Sequence, residues 1–368
     1  MVTGQSQGVK MDVIDLRSDF LARPSEAMRA AAHEARDSHC FGLREDPWQR
    51  RLEARLADLV GMEDALIFPT CTMANTTALM LSTTPGSCVL TQPEAHVLVS
   101  EAGAGAALAG LVLSAVDGQL DGGTVAMPSL ASWQRALNVA TDVQRPAVRL
   151  CVIENTHNRA GGEALPPAYC AAVIELARER GAALHLDGSR LFNAAQALGL
   201  PLSDLAKGFD TVSLSLNKTF GAPIPAVLAG SKPAIDHALV IRQRLGGGMR
   251  PTGPASAAAL VGLEDMNHLA QVQSLAARLR AELCGCEGLH VQPVERPTNI
   301  VIADVAPPDT ADAMVGRLQA RGLLALALDA RRVRFVVYRG IDGSQIERAI
   351  SITRNSGQDR GWVTERNK

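Results

Sequence analysis

The chain has 368 residues, 47% of them hydrophobic and 20% charged, with a formal net charge of −2. That is enough apolar material for a large domain with a smaller one beside it, and the near-neutral charge with 3% aromatic residues excludes a basic, base-stacking nucleic-acid surface. Seven cysteines, an odd number without a Cys-x-x-Cys pair, read as free thiols of a reducing cytosol rather than a disulfide frame or metal knuckle. Residues 1–10 are polar and lack the apolar core of a signal peptide. No apolar run is long enough to span a membrane, so the expected compartment is cytoplasmic.

In chain order, Trp48, Leu52, Leu56, Leu59 and Val60 recur at helical spacing and predict a helix over 47–60. A short apolar run over 65–68 leads through a turn into a second helix over 73–81. Strands are predicted over 87–91, 149–154, 182–187, 211–216 and 226–229, with a helix over 167–180 that Gly181 ends. These strands are continuous apolar runs rather than alternations, as a parallel sheet covered on both faces requires, so the fold class is α/β. Beyond Gly262 the pattern changes to helix 266–283, strand-like 290–294 and 299–305, helix 310–321, strands 323–328 and 333–338, and helix 343–354. The expected division is an N-terminal segment 1–46 that joins the small domain and the active site, a large cofactor-binding domain 47–262, and a small α+β domain 263–368.

The segment 213–218, Ser-Leu-Ser-Leu-Asn-Lys, reads as an apolar strand ending on Lys218. A desolvated amine can form a Schiff base with a carbonyl, so a lysine in that place has chemistry to do. Asp187 ends the preceding strand, one expected helical crossover earlier. Both then lie at carboxyl ends of parallel strands, where open α/β sheets bind ligands. A lysine for an aldehyde and an aspartate for a pyridinium nitrogen point to pyridoxal phosphate (PLP). Alone, Asp187 reads equally as a helix cap and Lys218 as a solvated loop lysine; the pair in register carries the reading. Arg190 suits a bidentate grip on an α-carboxylate, or else a pair with a nearby acid. Thr70, Cys71 and Thr72 open a helix whose N-terminus would hold a phosphate. His96 and His157 each follow a strand, and an imidazole there can stack on a pyridine ring or move a proton. His185, inside a strand, reads as buried structure.

Taken together, Asp15-Leu16-Arg17-Ser18-Asp19, Glu45-Asp46-Pro47, Thr72-Met73-Ala74-Asn75, Glu154-Asn155-Thr156-His157-Asn158, His185 through Ala194, Lys218 with Gly221-Ala222-Pro223, and Leu245 through Arg250 resemble the low-specificity L-threonine aldolases. These are PLP enzymes of the β-eliminating lyase group, and the resemblance runs from about 14 to 354. It implies the transferase-like fold type I, with a mostly parallel central sheet and a smaller C-terminal α+β domain. It also implies that Lys218 is the Schiff-base lysine, Asp187 the pyridinium partner and His96 the group stacked on the ring. Ser18, Arg190 and Arg334 would hold the substrate carboxylate, His157 would lie near the β-hydroxyl, and Phe41 would stand at the substrate rim. Arg250 would reach a neighbouring subunit's site, in a homotetramer or at least a dimer.

The chain departs from that pattern at Phe20, at Ser38 through Gly42 with the extra Leu43-Arg44, and at Cys71, Pro225, Gln243 and Val337-Tyr338. The cofactor chemistry is retained and the substrate rim altered. If Phe20 and Phe41 line the pocket, an apolar or aromatic substrate side chain follows. The expected reaction is cleavage of a β-hydroxy-α-amino acid to glycine and an aldehyde, with His157, His96 or a water as base. A PLP-dependent racemase or β-eliminating lyase is the alternative, and a non-catalytic PLP-fold binder a third reading.

Overall fold

The structure, a computed structural model, describes residues 13–38, 40–41, 43–139, 142–224 and 226–358. His39, Gly42 and Pro225, singled out above, lie outside the described residues.

Its strands in chain order are β1 (Ile14–Asp15), β2 (Asp64–Phe68), β3 (Cys88–Thr91), β4 (Val112–Ala115), β5 (Val148–Glu154), β6 (Ala183–Gly188), β7 (Thr211–Ser215), β8 (Ala226–Gly230), β9 (Leu289–Val291), β10 (Ile300–Val305), β11 (Leu323–Leu324), β12 (Leu326–Ala327) and β13 (Arg332–Val336). A seven-stranded sheet has the order β2-β8-β7-β6-β5-β3-β4, with only β8 running against the rest. Alternate residues of its strands enter opposite cores. Ile67, Ile153, Leu186, Val212 and Leu214 join one cluster, while Leu66, Phe68 and Leu228 join a second and Val89, Leu150 and Val152 a third. Burial on both faces is why the strands read as apolar runs. β4 gave no such signal because it lies at the sheet edge, where Val112 is 48% exposed.

The C-terminal region forms an antiparallel sheet, β12-β13-β10-β9, over its own hydrophobic cluster. Ile14 and Leu16 belong to that cluster, and β1 pairs with β11. The single strand expected over 323–328 is divided at Ala325, so one apolar run serves two sheets. No helix among the described residues is long and apolar enough to cross a membrane.

Three local differences bear on the site. β7 stops at Ser215, and Lys218 lies on the one-turn helix Asn217–Phe220 rather than on the strand end. That turn closes at Gly221, whose φ of +71° favours glycine and where a Cβ would come within 2.7 Å of the Arg23 backbone. The crossover from β6 to β7 carries two short helices, Leu191–Leu198 and Leu202–Ala206, instead of one. Within the Leu43-Arg44 step, Arg44 is an anchor in the framework, whereas Leu43 is exposed. Arg44 donates to Glu53 at 2.9 Å, to Asp64 at 2.6 and 2.8 Å and to the Ala65 carbonyl at 2.8 Å, at the start of β2 and away from the sheet's carboxyl edge. Glu53 is fully buried, and burial lifts its pKa against the pull of Arg44. Removing the cation strands that acid, so Arg44→Ala should cost about 3–5 kcal/mol in a denaturant titration. A loss below about 1 kcal/mol would mean that the bridges behave as screened surface pairs.

Candidate active site

β6 lies inside the sheet between β5 and β7, so its terminal acid, Asp187, is 1% exposed. Asp187 Oδ2 accepts from Asn75 Nδ2 at 2.9 Å, and Oδ1 from the Ser189 N–H at 3.1 Å. Asn75 Nδ2 also donates to Glu101 Oε1 at 2.8 Å. The Asn75 amide oxygen can therefore only accept, which it does from Ser213 Oγ at 2.7 Å and His185 Nε2 at 3.1 Å. His185 thus carries its proton on Nε2, and its Nδ1 accepts from Thr211 Oγ1 at 2.9 Å. Burial pushes the His185 pKa down to about 4. Burial also opposes the charge on Asp187, but His96, Lys218 and the Ser189 bond outweigh it and hold the carboxyl below its ordinary range.

Glu154, at the end of β5, fixes both histidine turns. Its carboxylate accepts from the His96 N–H at 2.6 Å and from the Asn158 N–H at 2.9 Å. The His96 ring is tied by Nδ1 to Glu101 Oε1 at 2.8 Å. Burial works to lower the His96 pKa, but the bonds and charges of Glu101, Asp187 and Glu154 raise it overall. His157 is fully buried. Its Nε2 donates to the Pro93 carbonyl at 3.0 Å, and its buried Nδ1 has no partner among the described residues.

At the other end of the site, Arg190 donates from Nε and Nη2 to Asp19 at 2.7 and 2.8 Å, the pairing with a nearby acid that its sequence context left open. Nη1 remains outside that fork. Arg334, on β13, donates to Asn158 Oδ1 at 2.8 Å and to the Arg17 carbonyl at 3.0 Å, and its buried Nε is unpaired. Burial, then the neighbouring Arg190 cation, push its pKa down to about 10. Asp19 keeps its charge because these cations outweigh its desolvation. Two buried guanidiniums against one carboxylate leave a net positive socket, which suits an anionic ligand group. Ser18 stands beside it, with Oγ 3.4 Å from Asp19 Oδ1.

The helix Cys71–Ser82 begins at the same sheet edge. Thr70 Oγ1 caps it by accepting from the Met73 N–H at 3.0 Å, and the Cys71 and Thr72 N–H groups make no hydrogen bond among the described residues. Burial raises the Cys71 thiol pKa. The glycine run before Arg250 packs on this helix, since a Cβ on Gly247 would lie 2.3 Å from the Met73 sulfur. Phe20 and Phe41 separate: the Phe20 ring lies 5.2 Å from Lys218 Nζ, whereas Phe41 lies 5.7 Å from the Arg250 guanidinium. Tyr338 donates to the Asp15 carbonyl at 2.9 Å, and Gln243 is exposed beside Gly248.

An amine, a buried carboxylate, an imidazole beside it and a helix N-terminus with unused N–H groups meet the four demands of PLP: its aldehyde, ring nitrogen, ring face and phosphate. The sequence pattern of the β-eliminating lyases matches residues 15–306. Low-specificity L-threonine aldolase 1 of Arabidopsis thaliana is 36% identical over 346 residues, covering 93% of this chain and 95% of its own. The chain belongs to the β-eliminating lyase family. Within the family it groups with the low-specificity threonine aldolases. The fold is shared with a Leishmania major threonine aldolase (TM-score 0.76, 19% identity, 93% of this chain and 98% of that one) and with an SPT structure holding PLP (TM-score 0.72, 18% identity, 94% and 87%).

For this member of the family, sequence reasoning gave no role to Asn75, Glu101, Glu154 or Asp19. Asn75, Glu154 and Asp19 sit within the quoted motifs, but the contacts that define them are distant in sequence: Asn75 to Glu101 spans 26 positions, Glu154 to His96 58 and Asp19 to Arg190 171. The low pKa of His185 has a measurable consequence. An unfolded histidine takes up a proton near pH 6.5, whereas the folded one resists until about 4, so stability is present above 6.5 and lost as pH falls toward 4. Between pH 7 and 5 the wild type should lose about 2 kcal/mol more than His185→Gln in denaturant titrations. Parallel losses would show that His185 accepts its proton in the folded state.

Proposed function

We propose that the chain is a PLP-dependent aldolase that cleaves a β-hydroxy-α-amino acid such as threonine, allo-threonine or phenylserine between Cα and Cβ, releasing glycine and an aldehyde. The observation that carries this reading is the net positive socket of Arg190, Arg334 and Asp19 facing the Lys218–Asp187 pair. When bound, PLP supplies the electron sink for the bond broken at Cα. Lys218 would be the amine that holds the cofactor's aldehyde. Asp187, kept ionised, favours the proton on the ring nitrogen. The Cys71 and Thr72 N–H groups, at the helix N-terminus that Thr70 caps, would hold the cofactor's phosphate. Arg190, Arg334 and Ser18 grip the substrate carboxylate and so turn Cα–Cβ perpendicular to the ring. His157, on the turn that Glu154 fixes beside Asn158, and His96 are the imidazoles placed nearest the reacting end of the site, and either would serve as the base for the β-hydroxyl proton.

We read the chain further as a homotetramer, at least a dimer, in which Arg250 serves a neighbour's site. The exposure of Arg250, Phe41 and Leu43 supports this. The unpaired state of all seven cysteines supports a cytoplasmic setting. The separate C-terminal core supports a division into 1–46, 47–262 and 263–368.

Purified holoenzyme should yield equimolar glycine and aldehyde from at least one of these β-hydroxy amino acids, and Lys218→Ala should lose both the products and the cofactor's visible band. Enantiomer interconversion or Cα deuterium exchange without aldehyde release would overturn the aldolase reading in favour of a racemase.

A further inference from the structure

Glu101 has no part in the functions assigned above, yet it is 4% exposed and placed among them. It follows the short helix His96–Val99. Its Oε1 accepts from His96 Nδ1 at 2.8 Å and from Asn75 Nδ2 at 2.8 Å, the same amide nitrogen that serves Asp187 at 2.9 Å. Contact atoms of His96, Glu101 and Asp187 all lie within 4.8 Å of one another. Two buried carboxylates at that range repel unless donors stand between them. Here the Asn75 amide and the His96 N–H are those donors.

We propose that Glu101 is a positioning residue for the reaction, fixing the His96 ring over the cofactor through Nδ1–H while it shares the Asn75 amide nitrogen with Asp187. This rests on the reading of the site given above. A carboxylate on Nδ1 sets the ring's rotation and its tautomer and favours its cationic form. His96 is faced by Glu101 from its own loop, Glu154 from the end of β5, Asp187 from β6 and Lys218 from the helix Asn217–Phe220. Burial and the Asp187 charge raise the Glu101 pKa, whereas that of Asp187 is lowered. As pH falls, Glu101 therefore takes up a proton first, and the charge opposite the ring nitrogen is spared.

The test compares Glu101→Gln and Glu101→Ala holoenzymes by the pH dependence of the cofactor's visible band, and by kcat and KM separately. Glutamine keeps an acceptor for Nδ1–H and removes the charge; alanine removes both. Loss of an anion lowers the pKa of nearby cations, so both variants should shift the band titration and the acid limb of kcat/KM to lower pH by at least about half a unit. Glu101→Ala should lose kcat by roughly 10- to 100-fold with the cofactor still bound, and Glu101→Gln should recover much of that loss. In a His96→Phe background, which keeps a stacking ring without Nδ1, Glu101→Gln should give a much smaller shift. Band titrations and pH profiles matching wild type in both variants would overturn the proposal, as would a shift undiminished in the His96→Phe background. The band titration does not require aldehyde release. Failure of the aldolase reading would therefore show as absent products with the Glu101 effects intact.

Discussion

A carboxylate taken from water into the interior of a protein costs several kcal/mol unless it is matched by charge and hydrogen bonds. Asp187 sits under that constraint inside a seven-stranded sheet. Much of the central site can be understood as the answer to it. Asn75, reaching from the helix Cys71–Ser82, gives one N–H to Asp187, and Ser189 gives another. Asn75 is held in the right flip by Ser213 and His185, and His185 in the right tautomer by Thr211. Each member has one arrangement that leaves no clash of like groups, so the network is specified as a unit. The cations beside it, His96 and Lys218, complete the compensation.

The opposite end of the site solves the complementary problem. Arg190 from the turn after β6 and Arg334 from β13 would repel each other in a dry socket. Asp19, brought in by the N-terminal segment, cancels one of the two charges and leaves the other for a ligand. This explains the route of the chain's first described residues. β1 joins β11, Asn299 donates to Asp19 at 3.3 Å, and Arg334 donates to the Arg17 carbonyl. The N-terminal segment thereby links the two hydrophobic cores at the point where the carboxylate socket is built.

What the sequence made legible were properties that one segment can express alone. An apolar run ended by an acid marked Asp187, and helical spacing marked 47–60, the residues of the helix Pro47–Val60. Lys218 was found, but three residues beyond its strand rather than on it, because the turn that carries it is stabilised by Gly221 against Arg23, a contact across the chain. Arg44 read as an alteration of the rim because sequence neighbours suggested it; its partners Glu53 and Asp64 lie 9 and 20 positions on, at the other edge of the sheet. Glu101 offered no local signal at all, since its significance comes only from His96 and Asn75 converging on one oxygen.

The same separation of duties bears on how the rim varies while the chemistry stays. The short turn Asp19–Leu21 carries Asp19 inward, 1% exposed, and Phe20 outward, 60% exposed. Ser18 caps the turn by accepting from the Phe20 N–H at 3.3 Å, a bond made by the backbone and indifferent to the side chain at position 20. The residue that fixes Arg190 and the residue whose ring covers Lys218 are therefore adjacent in sequence but mechanically independent. A large aromatic can replace a small polar group at position 20 and leave the arginine socket intact, because the turn presents its two neighbours to opposite sides. Arg44 supports the same division from the far edge of the sheet: it is secured in the framework, while Leu43 is exposed and Phe41 is exposed beside Arg250. Exposed side chains on these backbone turns can thus change without disturbing the buried partners beneath them.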